Sequence, residues 1–253
     1  MNCPICSATS SYAFDSVYAK VAKCGNGRCG HLYALSRPTG TGVHEHAVSD
    51  IGVYAHRNRV LVDKLVERGF VRDDMRVLDI GSGLGHIMEA LRRKLPQARI
   101  VCAEAAPQSV AHLSASGFEV VEDFGKLAAQ RPFDALFMIE VIEHLDDPMS
   151  VLRLCHSLLR PQGVMLLTTP SGELRGGSHG TAAYETVEHV QFFTRRSLAL
   201  ACRQAGFSSV RFVELPEFYA GPANPLLKWG RDSLRSLRNL VQGKHHFVVF
   251  LSR

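Results

Sequence analysis

Residues 76–85 read Arg-Val-Leu-Asp-Ile-Gly-Ser-Gly-Leu-Gly. An apolar run broken by Asp79 passes directly into a turn built on Gly81, Gly83 and Gly85. The run has the character of a strand buried on both faces, and the helical spacing that follows makes it the first half of a strand–turn–helix unit. Glycines in such a turn let bare backbone N–H groups approach a bound ligand. Their spacing is informative. Dinucleotide-binding turns read G-x-G-x-x-G, because the third glycine sits a turn inside the helix. Here the glycines strictly alternate, and an acid precedes the first by two positions. A triplet of this kind also serves any tight strand-to-helix turn, so the segment needs partners before it means more.

Two further segments supply them. Residues 99–104 (Arg-Ile-Val-Cys-Ala-Glu) form a second strand-like run ending at Glu104, about twenty residues beyond the glycines, where a carboxylate can accept ribose hydroxyls. Residues 133–145 (Phe-Asp-Ala-Leu-Phe-Met-Ile-Glu-Val-Ile-Glu-His-Leu) form a third, followed by Asp146-Asp147-Pro148. In this order the three segments resemble the class I S-adenosylmethionine-dependent methyltransferases, with their D-x-G-x-G-x-G element. The resemblance implies that Asp79, Gly81, Ser82, Gly83 and Gly85 hold the amino-acid end of the cofactor and Glu104 its ribose. It also places Asp123 and Phe124 at the adenine, and Glu140 beside the cofactor.

The rest of the pattern agrees with an α/β fold, a doubly wound, mostly parallel seven-stranded sheet. Helices are expected over 50–69, 86–95, 107–116 and 147–159, and strands over 118–121 and 164–168 after a turn at Pro161-Gln162-Gly163. Phe192-Phe193-Thr194-Arg195 opens a helix ending at Ala205-Gly206-Phe207. Strands 208–215 and 246–252 complete an antiparallel edge. Between them, residues 224–241 read as a basic amphipathic segment, most simply a helix covering the core within an insert over 216–244. The domain boundaries expected are 1–34, 35–49 and 50–253.

Four of the seven cysteines lie near the amino terminus: Cys3, Cys6, Cys24 and Cys29. Two close pairs separated by 17 residues suit a tetrahedral thiolate site for zinc in a small ribbon, and metal binding would supply its folding energy. The second pair has a four-residue gap instead of the usual two, so His31 stands as a substitute ligand; a disulfide or unbound thiols are the alternatives. Residues 35–49 read as a linker or lid, and His44 and His46 more simply as solvated loop histidines than as ligands. Cys102, Cys155 and Cys202 fall in apolar patterns and read as core.

At 253 residues, 46% apolar and 21% charged, the chain can bury one large core plus an appendage. No stretch approaches the roughly 18 apolar residues of a membrane helix, and no secretory leader pattern opens the sequence, so a cytoplasmic setting is the expectation. The net charge of +5 is concentrated in the first 60 residues (six Lys/Arg against three Asp/Glu) and the last 38 (six against two). That surplus most simply marks solvated surface.

Methyl transfer from a sulfonium needs an aligned nucleophile and excluded water; a hydroxyl nucleophile also gains from a base or a metal. His144 and His189 sit on loops expected to open onto the methyl group. Glu140-x-x-Glu143-His144 with a later histidine is similar to two metal-dependent groups, the ubiquinone-pathway O-methyltransferases and the small-RNA terminal 2′-O-methyltransferases. That resemblance implies a divalent ion held by Glu140, Glu143, His144 and His189. Relatives without metal carry the same stretch, and there Glu143 and His144 order the loop. Tyr184, Glu185 and His179 are further candidate substrate contacts. The layout resembles bacterial enzymes that modify sugars, glycans or secondary metabolites, so the expected activity is O-methylation of a small polar hydroxyl compound. An RNA 2′-O-methyltransferase and a catalytically silent binding module are the rivals. The acceptor and the oligomeric state are not legible.

Overall fold

The computed structural model describes residues 1–37, 51–130, 132–173, 182–184, 186–213 and 246–253, with the side chains of 51–57 and 182 outside the description. His44, His46, His179, Glu185, most of the linker and the basic segment 224–241 therefore lie outside the described residues.

Seven strands form the central sheet: β4 (Arg76–Ile80), β5 (Arg99–Ala103), β6 (Glu119–Val121), β7 (Phe133–Ile139), β8 (Leu159–Pro170), β10 (Ser209–Val213) and β11 (His246–Ser252). Their order is β10-β11-β8-β7-β4-β5-β6. The five strands from β4 to β8 run parallel, while β11 is antiparallel to both β8 and β10. From β4 the chain winds outward through β5 and β6, then returns to β7 on the other side of β4. The reversal opens a crevice at the carboxyl ends of β4 and β7, where open α/β sheets bind ligands.

The near-continuous apolar strands are explained by burial on both faces. Alternate residues divide between two packing clusters. Val77, Cys102, Ala135, Phe137 and Leu166 join helix α2 (His86–Lys94) and the buried side of α1 (Ile51–Glu67). Leu78, Ile80, Leu136, Met138 and Leu167 join α4 (Pro148–Leu158) and α5 (Arg195–Gln204). Helix α3 (Pro107–Ala115) sends Leu113 into the first cluster. Local chemistry sets the helix starts. Asp147 caps α4 by accepting from Ser150 N at 3.0 Å, with Pro148 at the first turn. Thr194 and Ser197 cap α5 reciprocally.

Two expectations are corrected here. Pro161-Gln162-Gly163 is not a turn between helix and strand. The strand already begins at the buried Leu159, and these residues bulge within it, with Gln162 at φ 66°. Phe192 does not open a helix: Gln191–Phe192 is a two-residue strand, β9. It pairs with the amino-terminal segment, whose strands β1 (Ser10–Asp15), β2 (Lys20–Cys24) and β3 (Leu32–Ala34) form a sheet of order β1-β2-β3-β9. Cys3, Ile5, Cys24 and Cys29 pack in the same cluster as α4 and α5. No described helix is long and apolar enough to cross a membrane.

Candidate active site

The three alternate glycines all adopt left-handed backbone, with φ 71°, 53° and 73° at Gly81, Gly83 and Gly85. A Cβ at Gly81 would stand 2.5 Å from Val141 Cγ2, and one at Gly85 would stand 2.5 Å from Leu113 Cδ2. These two glycines thus let the turn pack against its neighbours. Gly83 differs, since a Cβ there meets no described atom within 4 Å. The middle of the turn faces open space, as a loop that cradles a ligand must.

Glu104, just past β5, reaches across to this turn. Its Oε2 accepts from Gly83 N at 2.8 Å, while Oε1 accepts from the amides of Ala105 and Ala106, each at 2.8 Å. Asp79 at the end of β4 is almost fully buried. Burial first, then the charge of Glu104, pushes its carboxyl up to about 7 against the opposing hydrogen bond of Ser82. An acid held this way is costly to ionise without a cation beside it, and a ligand ammonium group provides one. The residues present fit a cofactor with a cationic amino-acid end and a ribose. Asp123 and Phe124 lie where a third strand tip was expected. Asp123 Oδ1 accepts from Gly125 N at 2.8 Å and caps a 3₁₀ turn over Phe124–Ala129.

Across the crevice, the loops after β7 and β8 bring Glu143, His144 and His189 together, with one ligand atom of each within 4.8 Å of the others. His144 Nδ1 lies 3.2 Å from Glu188 O, and His189 Nδ1 lies 3.0 Å from Ala183 O. A carbonyl only accepts, so each Nδ1 carries a proton and each ring presents its Nε2 on the opposite side. His189 Nε2 stands 3.9 Å from Glu143 Oε1, and Glu143 Oε2 accepts from Thr169 Oγ1 at 2.8 Å. Burial, with His144 alongside, holds the His189 imidazole down to about 4. Two imidazoles oriented through their far nitrogens beside a buried carboxylate make a donor set for a divalent ion or for a proton.

Glu140 is not part of that group. It adopts φ 56° and turns its carboxylate to Thr168 Oγ1 at 2.6 Å and His246 Nε2 at 2.9 Å. Left-handed backbone at a non-glycine is strained and tends to mark a site. Tyr184, a candidate substrate contact by sequence, is buried, donates to Gly172 O at 2.7 Å and packs on Phe14 and Phe192. His246, Thr168 and Thr169 were missed by sequence reading; only the strand-end position of the Thr pair hinted at them.

At the amino terminus, the four cysteine sulfurs lie within 4.8 Å of one another, with Cys3–Cys29 at 3.8 Å and Cys6–Cys24 at 3.4 Å. Tetrahedral zinc with bonds of about 2.3 Å spaces its sulfurs about 3.8 Å apart, a spacing within the range this cluster spans. Ile5 N donates to Cys3 Sγ at 3.4 Å. The hydrogen bond from Cys29 pulls the Cys3 thiol down to about 4, while burial raises Cys24 to about 11. His31 is not in the cluster. Its ring is fully buried between Gln191 and Ser197.

Comparison with known proteins agrees with this architecture. A family model described as a methyltransferase domain matches residues 54–211. A ubiquinone biosynthesis O-methyltransferase of Xanthomonas campestris pv. campestris is 38% identical over 103 residues, covering 37% of this chain. The chain spans only 42% of that relative's length. Among solved structures, an S-adenosylmethionine-dependent methyltransferase from Archaeoglobus fulgidus superposes with a TM-score of 0.55 at 17% identity. That match covers 78% of this chain and 94% of its own. The plantazolicin methyltransferase BamL, solved in complex with a triazolic desmethylPZN analog and SAH, gives 0.55 at 12% identity, covering 83% of this chain and 87% of its own. At such identities these structures speak to the fold alone. With the glycine turn, the Glu104 contact and the strand order, the family match places this chain in the methyltransferase-domain family, among the class I S-adenosylmethionine-dependent methyltransferases.

Proposed function

We propose that this chain transfers a methyl group from S-adenosylmethionine to a hydroxyl of a small polar acceptor. The observation carrying the acceptor side is the convergence of Glu143, His144 and His189 across the crevice from the glycine turn. When bound, the sulfonium supplies an activated methyl carbon for in-line displacement. The chain's own work is then to hold the cofactor, through Asp79, Glu104 and the turn amides, and to align and deprotonate the nucleophile. His144 and His189, each with Nδ1 committed to a carbonyl, offer lone pairs toward the acceptor. With Glu143 they are the residues that would hold a divalent ion, which would lower the pKa of a ligated hydroxyl. Glu140, tied to Thr168 and His246, supports the cofactor side. O-methylation is also the chemistry named for the ubiquinone-pathway relative. Cys3, Cys6, Cys24 and Cys29 would hold a structural zinc.

The test is an extract screen with trideuteromethyl-labelled S-adenosylmethionine, read by mass spectrometry. Label on a hydroxyl of a small polar compound, lost in His189→Phe, supports the proposal. Label confined to RNA, with steep salt dependence, would replace it with nucleic-acid methylation. Suppression by a chelator and recovery with Mg²⁺ or Mn²⁺, at unchanged cysteine-bound zinc, assigns the ion to Glu143, His144 and His189.

A further inference from the structure

We infer that His31, in the amino-terminal cysteine segment, is a positioning residue for the two histidine loops of the methyl-acceptor face. This rests on reading Glu143, His144 and His189 as that face. Its spacing from the cysteines made His31 a possible substitute ligand beside the four cysteines; its contacts give it a different task.

The imidazole of His31 is fully buried beside Phe193, with ring centroids 4.8 Å apart. Its Nε2 lies 2.9 Å from Gln191 Oε1, and its Nδ1 lies 3.3 Å from Ser197 Oγ. The other end of the Gln191 amide donates from Nε2 to Leu145 O at 2.9 Å. That bond fixes the carboxamide: its nitrogen faces Leu145, so its oxygen accepts from His31, and His31 must carry its proton on Nε2. Gln191 follows His189 by two residues, and Leu145 follows His144 by one. A single ring in the cysteine segment is therefore tied, through one amide, to both loops.

The backbone runs the same way. Ala34 N donates to Val190 O at 2.9 Å, and Val190 N donates to Glu143 O at 2.9 Å. Tyr33 pairs with Gln191 across β3 and β9. Arg37 donates to His144 O at 3.0 Å and to Asp146 Oδ1 at 2.8 Å. Val190 thus stands between the amino-terminal sheet and the residue that presents the Glu143 carboxylate. A fold needing only a zinc staple has no use for a buried polar ring aimed at these loops. A polar group this deeply buried is retained where its orientation is used, and the orientation here sets where residues 143–145 and 189–191 meet.

The experiment uses the zinc-loaded full chain and compares His31→Phe, which keeps a ring against Phe193, with His31→Gln, which keeps a donor for Gln191. Readouts are long-range proton–nitrogen spectra of the histidine rings, amide exchange at Leu145, Val190 and Gln191, and calorimetric binding of S-adenosylhomocysteine. In the parent chain the ring spectra should show the proton of His31 on Nε2 and those of His144 and His189 on Nδ1. In His31→Phe the His144 and His189 resonances should shift or broaden. Amide exchange at the three positions should rise about tenfold, the effect of one lost buried hydrogen bond. Binding of S-adenosylhomocysteine should stay within about twofold, because Asp79 and Glu104 are untouched. His31→Gln should restore both signatures. If His31→Phe does not fold, Gln191→Leu carries the same expectation.

Unchanged His144 and His189 spectra on loss of the ring would overturn the inference. So would failure of His31→Gln to rescue, or a cadmium-113 spectrum of the substituted cluster showing nitrogen ligation by His31. Failure of the parent chain to bind S-adenosylhomocysteine would instead sink the functional reading, leaving the link between His31 and the loops measurable on its own.

Discussion

Asp79→Asn should stabilise the cofactor-free protein at alkaline pH while weakening its hold on cofactor. The Asp79 carboxyl is raised from 3.8 to about 7 in the folded chain, chiefly by burial. In the unfolded chain it titrates near 3.9. Between those values the folded state holds a proton that the unfolded state has lost. Stability therefore falls as pH rises, by about 1.4 kcal/mol per pH unit, and levels off above pH 7. The full cost of carrying the ionised group is about 4 kcal/mol at pH 8. Asparagine has the same shape and no charge, so the variant should gain about 2–4 kcal/mol at pH 8 and less than about 1 kcal/mol at pH 4.5. For a chain of this length that is a rise in Tm of about 5–15 °C at pH 8. Calorimetry with S-adenosylhomocysteine at pH 8 should show the opposite sign, a Kd about 10- to 100-fold weaker, since the ligand ammonium loses its anionic partner. Thermal melts and urea unfolding at the two pH values, paired with that titration, form the assay. A variant no more stable than the parent at pH 8, or one that binds S-adenosylhomocysteine as tightly, would refute the assignment of Asp79 as an acid that burial makes costly to ionise and a ligand cation relieves.

Other expectations follow from the same geometry. Glu104→Ala removes the carboxylate that faces the glycine turn and should weaken S-adenosylhomocysteine binding about 100-fold with Tm little changed, by calorimetry and melting. Gly85→Ala places a Cβ against Leu113 Cδ2 at positive φ, and urea unfolding should show a loss of about 2–3 kcal/mol. Elemental analysis should find one zinc per chain, absent in Cys24→Ser/Cys29→Ser, with the amino-terminal sheet amides losing exchange protection. His189→Gln should abolish binding of Mn²⁺ measured by electron paramagnetic resonance while leaving S-adenosylhomocysteine affinity within about twofold.

The part of the fold legible in the sequence is the part specified locally. Gly81, Gly83 and Gly85 alternate because the turn needs left-handed backbone at each, and Glu104 ends its strand because it must reach Gly83. The strands read as apolar runs because α-helices cover both faces of the sheet. The missing features are non-local. Two residues of β9 carry no periodicity, yet they join the amino-terminal sheet to the loop after β8. His246 reaches Glu140 only because the last strand runs antiparallel beside β8, setting His246 opposite Pro170. His31 sits two residues from a cysteine and so reads as a possible substitute ligand, while its partners Gln191 and Ser197 are more than 150 residues away in sequence. The E-x-x-E-H stretch put Glu140 with Glu143; in the structure the Glu140 carboxylate meets Thr168 and His246, and its charge still acts on His189.

A crystal structure of the chain with S-adenosylhomocysteine tests the central claim most directly. The ligand should lie over Gly81–Gly85 at the carboxyl ends of β4 and β5, with its ribose on Glu104, its ammonium toward Asp79, and its sulfur facing His144 and His189. A ligand seated elsewhere, or one bound there with the Glu104 and Asp79 carboxylates turned away from it, would contradict the account.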